Sequence, residues 1–302
     1  MAGMRQFLVG IEVAWLRLPA NARGAAWVII GTVIFAINDT VVKILGISIH
    51  PVQMTFFRYW IGFLLLVPVF WRVGLEGLAT TRLPLHVTRS VLAGIGQAGA
   101  YYAVVHLLLV DATAVQFSRP LFMTLLAVVM LGETVGRRRW AATIVGFGGV
   151  IVMLRPGAVA IDVAWLVALA TALIFAVGLV IIRMLASTEP PTRILFYYHL
   201  TGMIVFVGPA IWLWKTPTAD EWPLLLSIGA MTMIGMVCFI RGLAVGEASI
   251  VGPMEYTRLI YAAILGYFVF SEVPSVWTWV GAAIIVASAL YIARREAFAG
   301  SS

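Results

Sequence analysis

Cysteine and charge are the scarcest features of this sequence. Cys238 is the only cysteine and lies in an apolar run, so neither a disulfide nor a cysteine metal cluster is expected. Charged residues make up 11% of the 302 residues, whereas a soluble domain carries roughly a quarter. No polar segment is long enough to fold apart from the rest. We therefore predict a polytopic membrane protein without a soluble domain.

Acidic residues are also few, with 13 Asp and Glu against 20 Lys and Arg, which gives a net charge of +7. Such a balance can indicate nucleic-acid binding. Here the arginines lie in short loops between apolar segments and form no concentrated basic patch. We therefore predict no nucleic-acid partner.

The first 23 residues lack the features of a cleaved signal peptide, because Glu12 interrupts their apolar part and no A-x-A site follows. Phe7, Ile11 and Trp15 recur at helical spacing, which fits an interfacial helix lying on the membrane. A frayed terminus is the alternative, and the sequence leaves both interpretations open.

Apolar length dominates the rest of the chain, in which 62% of residues are hydrophobic. Segments of about 20 apolar residues suit a hydrocarbon core of about 30 Å. The ten segments of this kind are Ala25–Leu45, Pro51–Trp71, Thr88–Leu109, Ala112–Leu131, Arg139–Leu154, Val163–Leu185, Arg193–Trp214, Pro223–Val245, Ile250–Phe270 and Val273–Ala293. We predict an all-α polytopic membrane protein with ten transmembrane helices around a central cavity.

Cations are distributed unevenly between the loops. With the N-terminus inside, the inside segments hold 14 of the 20 Lys and Arg residues. The outside segments hold only Lys43, Arg155 and Lys215. Because positively charged loops stay on the cytoplasmic side, both termini are predicted to be cytoplasmic.

An internal repeat relates the two halves of the chain. Arg258 lies 139 positions after Arg119, and the same offset takes Gln116 to Glu255. It also pairs Phe122 with Tyr261, Glu133 with Glu272, Trp140 with Trp279 and Arg155 with Arg294. Each copy has five apolar segments, an odd number, so the second copy must enter the membrane from the opposite side. We predict two inverted repeats, residues 24–157 and 158–295, between an N-terminal segment (1–23) and a cytoplasmic tail (296–302).

Arg119 and Arg258 are the leading candidates for substrate binding, because an intramembrane arginine is costly and a packed apolar helix needs none. Gln116 and Glu255 precede them by three residues and therefore share their helix faces. Pro120 cannot donate to the carbonyl oxygen of Gln116, and such breaks are tolerated where the backbone lines a cavity. These faces either line a central pathway or form an internal salt bridge, such as Glu255 with Arg258.

Three polar residues in the first two segments have alternative roles. Asn38 and Asp39 are adjacent, and Lys43 lies one turn beyond Asp39 and could neutralise it within the helix. Asp39 could instead face the pathway as a proton or amine site. Arg58 has no acidic neighbour at helical spacing, so its partner must come from another helix, and Asp39 is one candidate. A role for Arg58 in lining the pathway and a role as a structural clamp are equally compatible with the sequence.

Aromatic residues in the middle of apolar segments complete the candidate set. Tyr101 and Tyr102 occupy the third segment, Tyr198 and His199 the seventh, and Tyr261 the ninth. Their polar atoms need partners when buried, so they could line a cavity suited to a flat ring.

Motifs of catalysis are lacking. The run Gly94-Ile-Gly96-Gln-Ala-Gly99 matches the dinucleotide fingerprint, but it lies inside an apolar segment without the required strand. Close helix packing through small residues explains it better. With no paired nucleophile and base, we do not expect an enzyme, and we expect no metal or other cofactor.

The chain resembles the drug/metabolite transporter (DMT) superfamily, EamA type. The resemblance rests on the ten short-looped segments, the inverted duplication, and Leu131-Gly132-Glu133 followed by Trp140 and Gly146. In the second copy Phe270-Ser271-Glu272 keeps only the acid of that motif, with Trp279 and Gly281 after it. Within the superfamily the chain looks like YddG-type exporters of aromatic amino acids.

This resemblance implies a carrier that exports aromatic and other neutral amino acids across a bacterial inner membrane by alternating access. We expect a monomer, because the ten segments could enclose a pathway alone. Glu133 and Glu272 are then interpreted as structural caps or loop anchors. A carrier of another solute, such as a drug cation, a purine or another metabolite, is the alternative. A membrane-embedded enzyme is a more distant one.

Overall fold

The computed structural model of the protein describes residues 18–132, 135–156 and 162–299. Most of the predicted N-terminal interfacial segment, Glu133 and the end of the tail lie outside these residues. Within the described ranges the protein is all-helical and forms no β-sheet. The all-α prediction is therefore confirmed.

Twelve α-helices and one 3₁₀-helix follow one another along the described chain. The α-helices are α1 (Ala20–Leu45), α2 (Pro51–Leu78), α3 (Leu83–His106), α4 (Leu109–Gln116), α5 (Arg119–Leu131), α6 (Arg137–Leu154), α7 (Val163–Ala186), α8 (Pro191–Trp212), α9 (Glu221–Val245), α10 (Ala248–Val251), α11 (Arg258–Phe270) and α12 (Val276–Ala299). The 3₁₀-helix, Gly252–Thr257, lies between α10 and α11.

Seven stretches of these described helices are long and apolar enough to cross a membrane. They are Ala20–Leu45, Pro51–Gly74, Leu109–Met130, Val163–Ala186, Pro191–Trp212, Glu221–Val245 and Val276–Arg294. The other three predicted segments fall on α3, which carries several polar residues; on α6, which begins with three arginines; and on α10 to α11, which the 3₁₀-helix interrupts. The chain is therefore a multi-pass helical membrane protein.

Helices from the two halves of the chain pack directly on each other. The closest pairs are α1 with α9, α6 with α12, α2 with α8 and α3 with α7. Small residues permit these approaches: a Cβ atom at Gly149 of α6 would lie 2.8 Å from the carbonyl oxygen of Gly281 in α12. The same applies to Gly24, whose Cβ would lie 2.8 Å from the carbonyl oxygen of Gly242.

The glycines that resemble a dinucleotide motif serve this packing. A side chain at Gly94 would collide with Phe206 of α8, and one at Gly99 would collide with Thr171 of α7. The interpretation of this run as a helix-packing surface is confirmed.

Two helices break in the middle of the bundle. The chain leaves the α-helical course at Phe117 and Ser118 between α4 and α5, and it tightens into the 3₁₀-helix before α11. Pro120 and Pro253 both lie in the first turn of the new element, where the missing N–H of proline costs least. These breaks place Arg119 and Arg258 at the first residues of α5 and α11.

Candidate functional site

A cavity of about 800 Å³ lies beside the two breaks. Its wall is built from the two broken helices together with α6, α7 and α12. The lining residues are Gln116, Phe117, Arg119, Pro120, Met123, Ala127, Arg139, Leu179, Ile182, Arg183, Glu255, Tyr256, Ile292 and Ala293. Small-molecule sites in proteins measure roughly 300–1,000 Å³, so the space is of the right size for a metabolite.

Three of the predicted site residues, Gln116, Arg119 and Glu255, meet in this cavity. The carbonyl oxygen of Gln116, which Pro120 leaves without its helical donor, accepts a hydrogen bond from Arg119 Nε at 3.1 Å. Gln116 Nε2 donates to Thr171 Oγ1 at 2.7 Å, while its Oε1 is buried without a partner. The helix break therefore orients the arginine toward the cavity.

Arg119 forms no salt bridge with any carboxylate of the described residues. Glu255 is close enough for its charge to act on the guanidinium, and the Phe175 ring lies 5.7 Å from it. Besides Arg139 and Arg183, the cavity therefore presents Arg119 and Glu255, a cation and an anion that form no salt bridge with each other within the described residues. Such a pair can bind a carboxylate and an ammonium group at the same time.

An aromatic pair that the sequence interpretation missed lies beside these charges. Phe117 and Tyr256 meet edge to face, with ring centroids 4.8 Å apart. Tyr256 lies 139 positions after Phe117, so the repeat offset could have identified both. Arg139 and Arg183 were also missed, because their positions at helix ends resemble ordinary cytoplasmic loop cations.

Arg258 and Asp39 form an ion pair that joins α11 to α1. The Asp39 side chain is 9% exposed and that of Arg258 18%, so the pair is largely withdrawn from solvent. Arg258 does not pair with Glu255, so the internal salt bridge between them, one of the two alternatives that the sequence left open, does not form. The packing of α11 on α1 brings Arg258 to Asp39, although Glu255 is much closer to Arg258 in sequence.

Lys43 has a different partner from the one its spacing suggested. It forms an ion pair with Glu272 and donates to the carbonyl oxygen of Leu107. Glu272 also accepts from the backbone N–H of Leu109 at 2.7 Å. Lys43 therefore does not neutralise Asp39, which was one of two alternatives left open by the sequence, and the interpretation of Glu272 as a structural anchor is confirmed.

Arg58 and Tyr198 form a separate polar cluster between α2, α3 and α8. Arg58 Nη1 donates to Tyr198 Oη at 2.8 Å, so Asp39 is not its partner. Tyr101 is 2% exposed and lies close enough to Arg58 and Asp39 to be affected by both charges. Asn38 is also buried, and its Oδ1 has no hydrogen-bond partner.

The remaining candidates have surroundings that favour packing roles. His199 is buried against Gly62, and its Nδ1 bonds the carbonyl oxygen of Leu195 at 3.0 Å. Tyr102 stacks on His106 at the end of α3, with ring centroids 4.0 Å apart. Tyr261 is half-buried in α11 and is not part of the cavity lining.

Comparison with known proteins relates the whole chain to membrane carriers. The EamA-like transporter family matches residues 22–155 and again residues 163–294. An S-adenosylmethionine uptake transporter of Rickettsia prowazekii is 31% identical over 279 residues, which cover 92% of this chain and 95% of the relative.

Relatives of lower sequence identity are named as transporters of other solutes. A riboflavin transporter of Vibrio cholerae is 29% identical, covering 91% of this chain and 94% of its own. The pseudopaline exporter CntI of Pseudomonas aeruginosa is 27% identical, and the match covers 90% of this chain and 96% of the exporter. One crystal structure superposes on 92% of this chain and 98% of its own with a TM-score of 0.61 and 19% identity, which is a likeness of fold.

Proposed function

Because the chain belongs to the EamA-like transporter family, we propose that its solute is a metabolite with an amino-acid head group and a flat ring. Family membership makes the protein a multi-pass membrane transporter of small metabolites and not an enzyme.

The observation that carries the proposal is the unpaired Arg119 facing the same cavity as Glu255, beside the Phe117–Tyr256 pair. An α-carboxylate matches the guanidinium fork of Arg119, and an α-ammonium group matches Glu255. A flat ring can pack against the two aromatic side chains. A solute with a single charge would leave one of the two side chains without a counter-charge in a poorly solvated site.

S-adenosylmethionine is the first candidate, because it combines an amino-acid head, a sulfonium cation and an adenine ring. It is the solute named for the relatives at 31% identity. It also fills a cavity of about 800 Å³ better than a free amino acid does. Aromatic and other neutral amino acids are the second candidate, because they present the same head group to Arg119 and Glu255. Riboflavin shares only the flat ring.

Alternating access between two inverted five-segment repeats is the proposed mechanism. Several matched features support it. The breaks before Arg119 and Arg258, the two family matches and the left-handed residues Gly132 (φ 65°) and Ser271 (φ 55°) all recur at corresponding places. The helix pairs also correspond. The first helix of one repeat packs on the third helix of the other in both directions, as α1 does on α9 and α7 does on α3.

The two ends of the bundle differ in a way that fits one state of such a cycle. The cavity reaches Arg139, Arg183 and Ile292, which lie at one end of α6, α7 and α12. Lys43 and Glu272 join helices at the opposite end of α12. With the cytoplasmic termini that the loop cations favour, this conformation is open to the inside. A single chain in a bacterial inner membrane encloses the whole pathway.

Solute counterflow in proteoliposomes tests the proposal. Vesicles loaded with unlabelled S-adenosylmethionine should accumulate labelled S-adenosylmethionine transiently, whatever ion is coupled. Arg119→Gln and Glu255→Gln should each reduce the rate about tenfold or more, the loss expected for one charge-assisted contact of about 1.4 kcal/mol. Lys215→Gln is the matched control, because it removes an exposed cation away from the cavity.

Competition separates the candidates in the same assay. Excess S-adenosylmethionine should inhibit more strongly than phenylalanine, threonine or riboflavin. Counterflow of phenylalanine without counterflow of S-adenosylmethionine would establish the second candidate instead. Equal rates in empty vesicles and protein-containing vesicles for every one of these solutes would reject the proposed solute class.

A further inference from the structure

A second cationic cluster lies outside the cavity lining, where α2, α3 and α8 meet. The Tyr198 ring is its centre. Arg58 donates to the Tyr198 hydroxyl at 2.8 Å, and the Arg89 guanidinium carbon lies 4.3 Å from the centroid of the same ring. The Tyr59 ring packs against Tyr198 with centroids 5.0 Å apart, and Tyr101 lies within electrostatic range of it.

Among the described residues, the cluster holds two positive charges with no negative charge to balance them. Neither Arg58 nor Arg89 forms a salt bridge with a carboxylate in the part of the chain that the structure describes. Asp39 is committed to Arg258, and Glu189 is committed to Arg193. Each guanidinium also lies in the field of the other. Like charges in a poorly solvated site repel, so a counter-charge would stabilise them.

Hydrogen-bond donors of Arg89 are also unsatisfied. Its Nε and Nη1 are buried without partners among the described residues. The hydroxyls of Tyr59 and Tyr101, which are 0% and 2% exposed, lie near Tyr198 and Asn38 but form no hydrogen bond of normal geometry with them. Buried polar groups in native proteins are nearly always bonded, so the two Arg89 donors point to a missing acceptor beside the Tyr198 ring. Water could satisfy the hydrogen bonds, but it would leave the charge uncompensated.

We propose that the Arg58–Arg89–Tyr198 cluster binds a small monovalent anion. The chemistry it recognises is a compact anionic group with several acceptor lone pairs, of the size of a carboxylate or a halide. That group is either free chloride or the carboxylate of a transported solute at a step of the transport cycle when it is not bound to Arg119. The carboxylate source rests on the proposed function, whereas the chloride source does not.

The test measures thermal unfolding of the full chain purified in detergent, first in a HEPES buffer that contains neither chloride nor a carboxylate. In the chloride arm, added chloride should raise the melting temperature of the wild-type protein saturably by about 2–4 °C. Arg89→Gln should abolish the rise, and Arg138→Gln, which removes an exposed cation, should keep it. General salt effects act on all three proteins alike, so the difference between them is the readout.

In the solute arm, phenylalanine replaces chloride and phenylalaninamide is the analogue without a carboxylate. A shift with phenylalanine only, lost in Arg89→Gln, assigns the site to the solute. A shift with chloride, lost in the same variant, assigns it to the inorganic anion. If neither anion shifts the wild type, or if Arg89→Gln responds as the wild type does, the proposal is overturned. Should Arg89→Gln fail to fold, Arg89→Lys keeps the charge but not the fork and should weaken the apparent affinity at least threefold.

The outcomes also separate this proposal from the proposed function. If Arg119→Gln loses counterflow but keeps the anion-dependent rise in melting temperature, the cavity is supported as the solute site. The anion site at the cluster is then tested by the Arg89 variants alone. Loss of the anion response in Arg89→Gln with normal counterflow supports the cluster as a chloride site.

Discussion

Asp39 and Arg258 form an ion pair across 219 positions of sequence, between α1 in one half of the chain and α11 in the other. Each side chain lies where a lone charge would be poorly solvated. The pair therefore holds a helix of one half against a broken helix of the other.

Breaking this pair on one side should destabilise the protein. Asp39→Asn leaves the Arg258 charge without a partner, and removal of one member of a buried pair costs about 3–5 kcal/mol. We expect Asp39→Asn to melt clearly below the wild type. The double variant Asp39→Asn with Arg258→Gln should melt closer to the wild type than Asp39→Asn does, because it leaves no unpaired charge. A double variant less stable than the wild type by the sum of the losses measured for Asp39→Asn and Arg258→Gln separately would mean that the two residues do not interact.

The packing of α6 against α12 offers a matched pair of glycine substitutions. A Cβ at Gly149 would lie 2.8 Å from the Gly281 carbonyl oxygen, whereas one at the neighbouring Gly148 would meet nothing within 4 Å. Gly149→Ala should destabilise the protein by about 1–3 kcal/mol through overpacking. Gly148→Ala should be neutral or stabilising by up to about 1 kcal/mol, because alanine favours the helix. Thermal unfolding of the two variants under one condition checks this, and equal effects would contradict the close contact.

The contact of Lys43 with Glu272 is predicted to hold one end of the bundle closed. Glu272→Gln weakens the ion pair and the hydrogen bond to Leu109 N–H. A cysteine at Ala112, which is 2% exposed, should then react with a membrane-impermeant maleimide added from outside, in a background with Cys238→Ala. Lys215→Gln in the same background is the control and should stay unreactive. Unchanged protection of Ala112→Cys in both variants would argue against a closing role.

Glu189, in the loop that follows α7, provides a pH-dependent prediction. Burial would raise the pKa of the Glu189 carboxyl, but the hydrogen bonds from Thr80 and Arg193, both at 2.7 Å, lower it below the ordinary value of 4.5. His86 is the other titratable side chain beside this carboxyl, at 3.9 Å. A carboxyl with a lowered folded-state pKa stabilises the fold above its ordinary pKa, and this contribution is lost as the pH falls through the folded-state value.

Glu189→Gln should therefore have a lower melting temperature than the wild type at pH 7, and the difference should shrink as the pH falls below about 4.5. Melting curves of both proteins between pH 7 and pH 3.5 measure it. A difference that grows toward acid pH would have the wrong sign for this arrangement.

Local sequence features predicted the elements of the fold and one part of the site. Apolar length predicted a helical membrane protein, because buried backbone groups in lipid must bond within the segment. Proline chemistry predicted the free carbonyl oxygen of Gln116, which Arg119 then occupies. Helical spacing placed Gln116 with Arg119 on one face, and both line the cavity.

Long-range pairing was beyond the reach of those features. Spacing of one helical turn offered Lys43 as one possible partner of Asp39, but the packing of α1 on α11 brings Arg258 there instead. The sequence did not identify Arg89 as a candidate residue, because the Tyr198 ring that it contacts belongs to another helix. Such partners depend on how helices pack, and a single sequence records that only indirectly.

We propose that the solute occupies the cavity lined by Arg119 and Glu255. Met123→Cys in a Cys238→Ala background places a thiol in the cavity wall, and its labelling by a maleimide can be followed with and without S-adenosylmethionine. The account predicts that saturating solute slows labelling about tenfold and that Arg119→Gln removes this protection. Labelling at one rate with and without S-adenosylmethionine or phenylalanine, in a protein that transports either, would place the solute elsewhere and contradict the account.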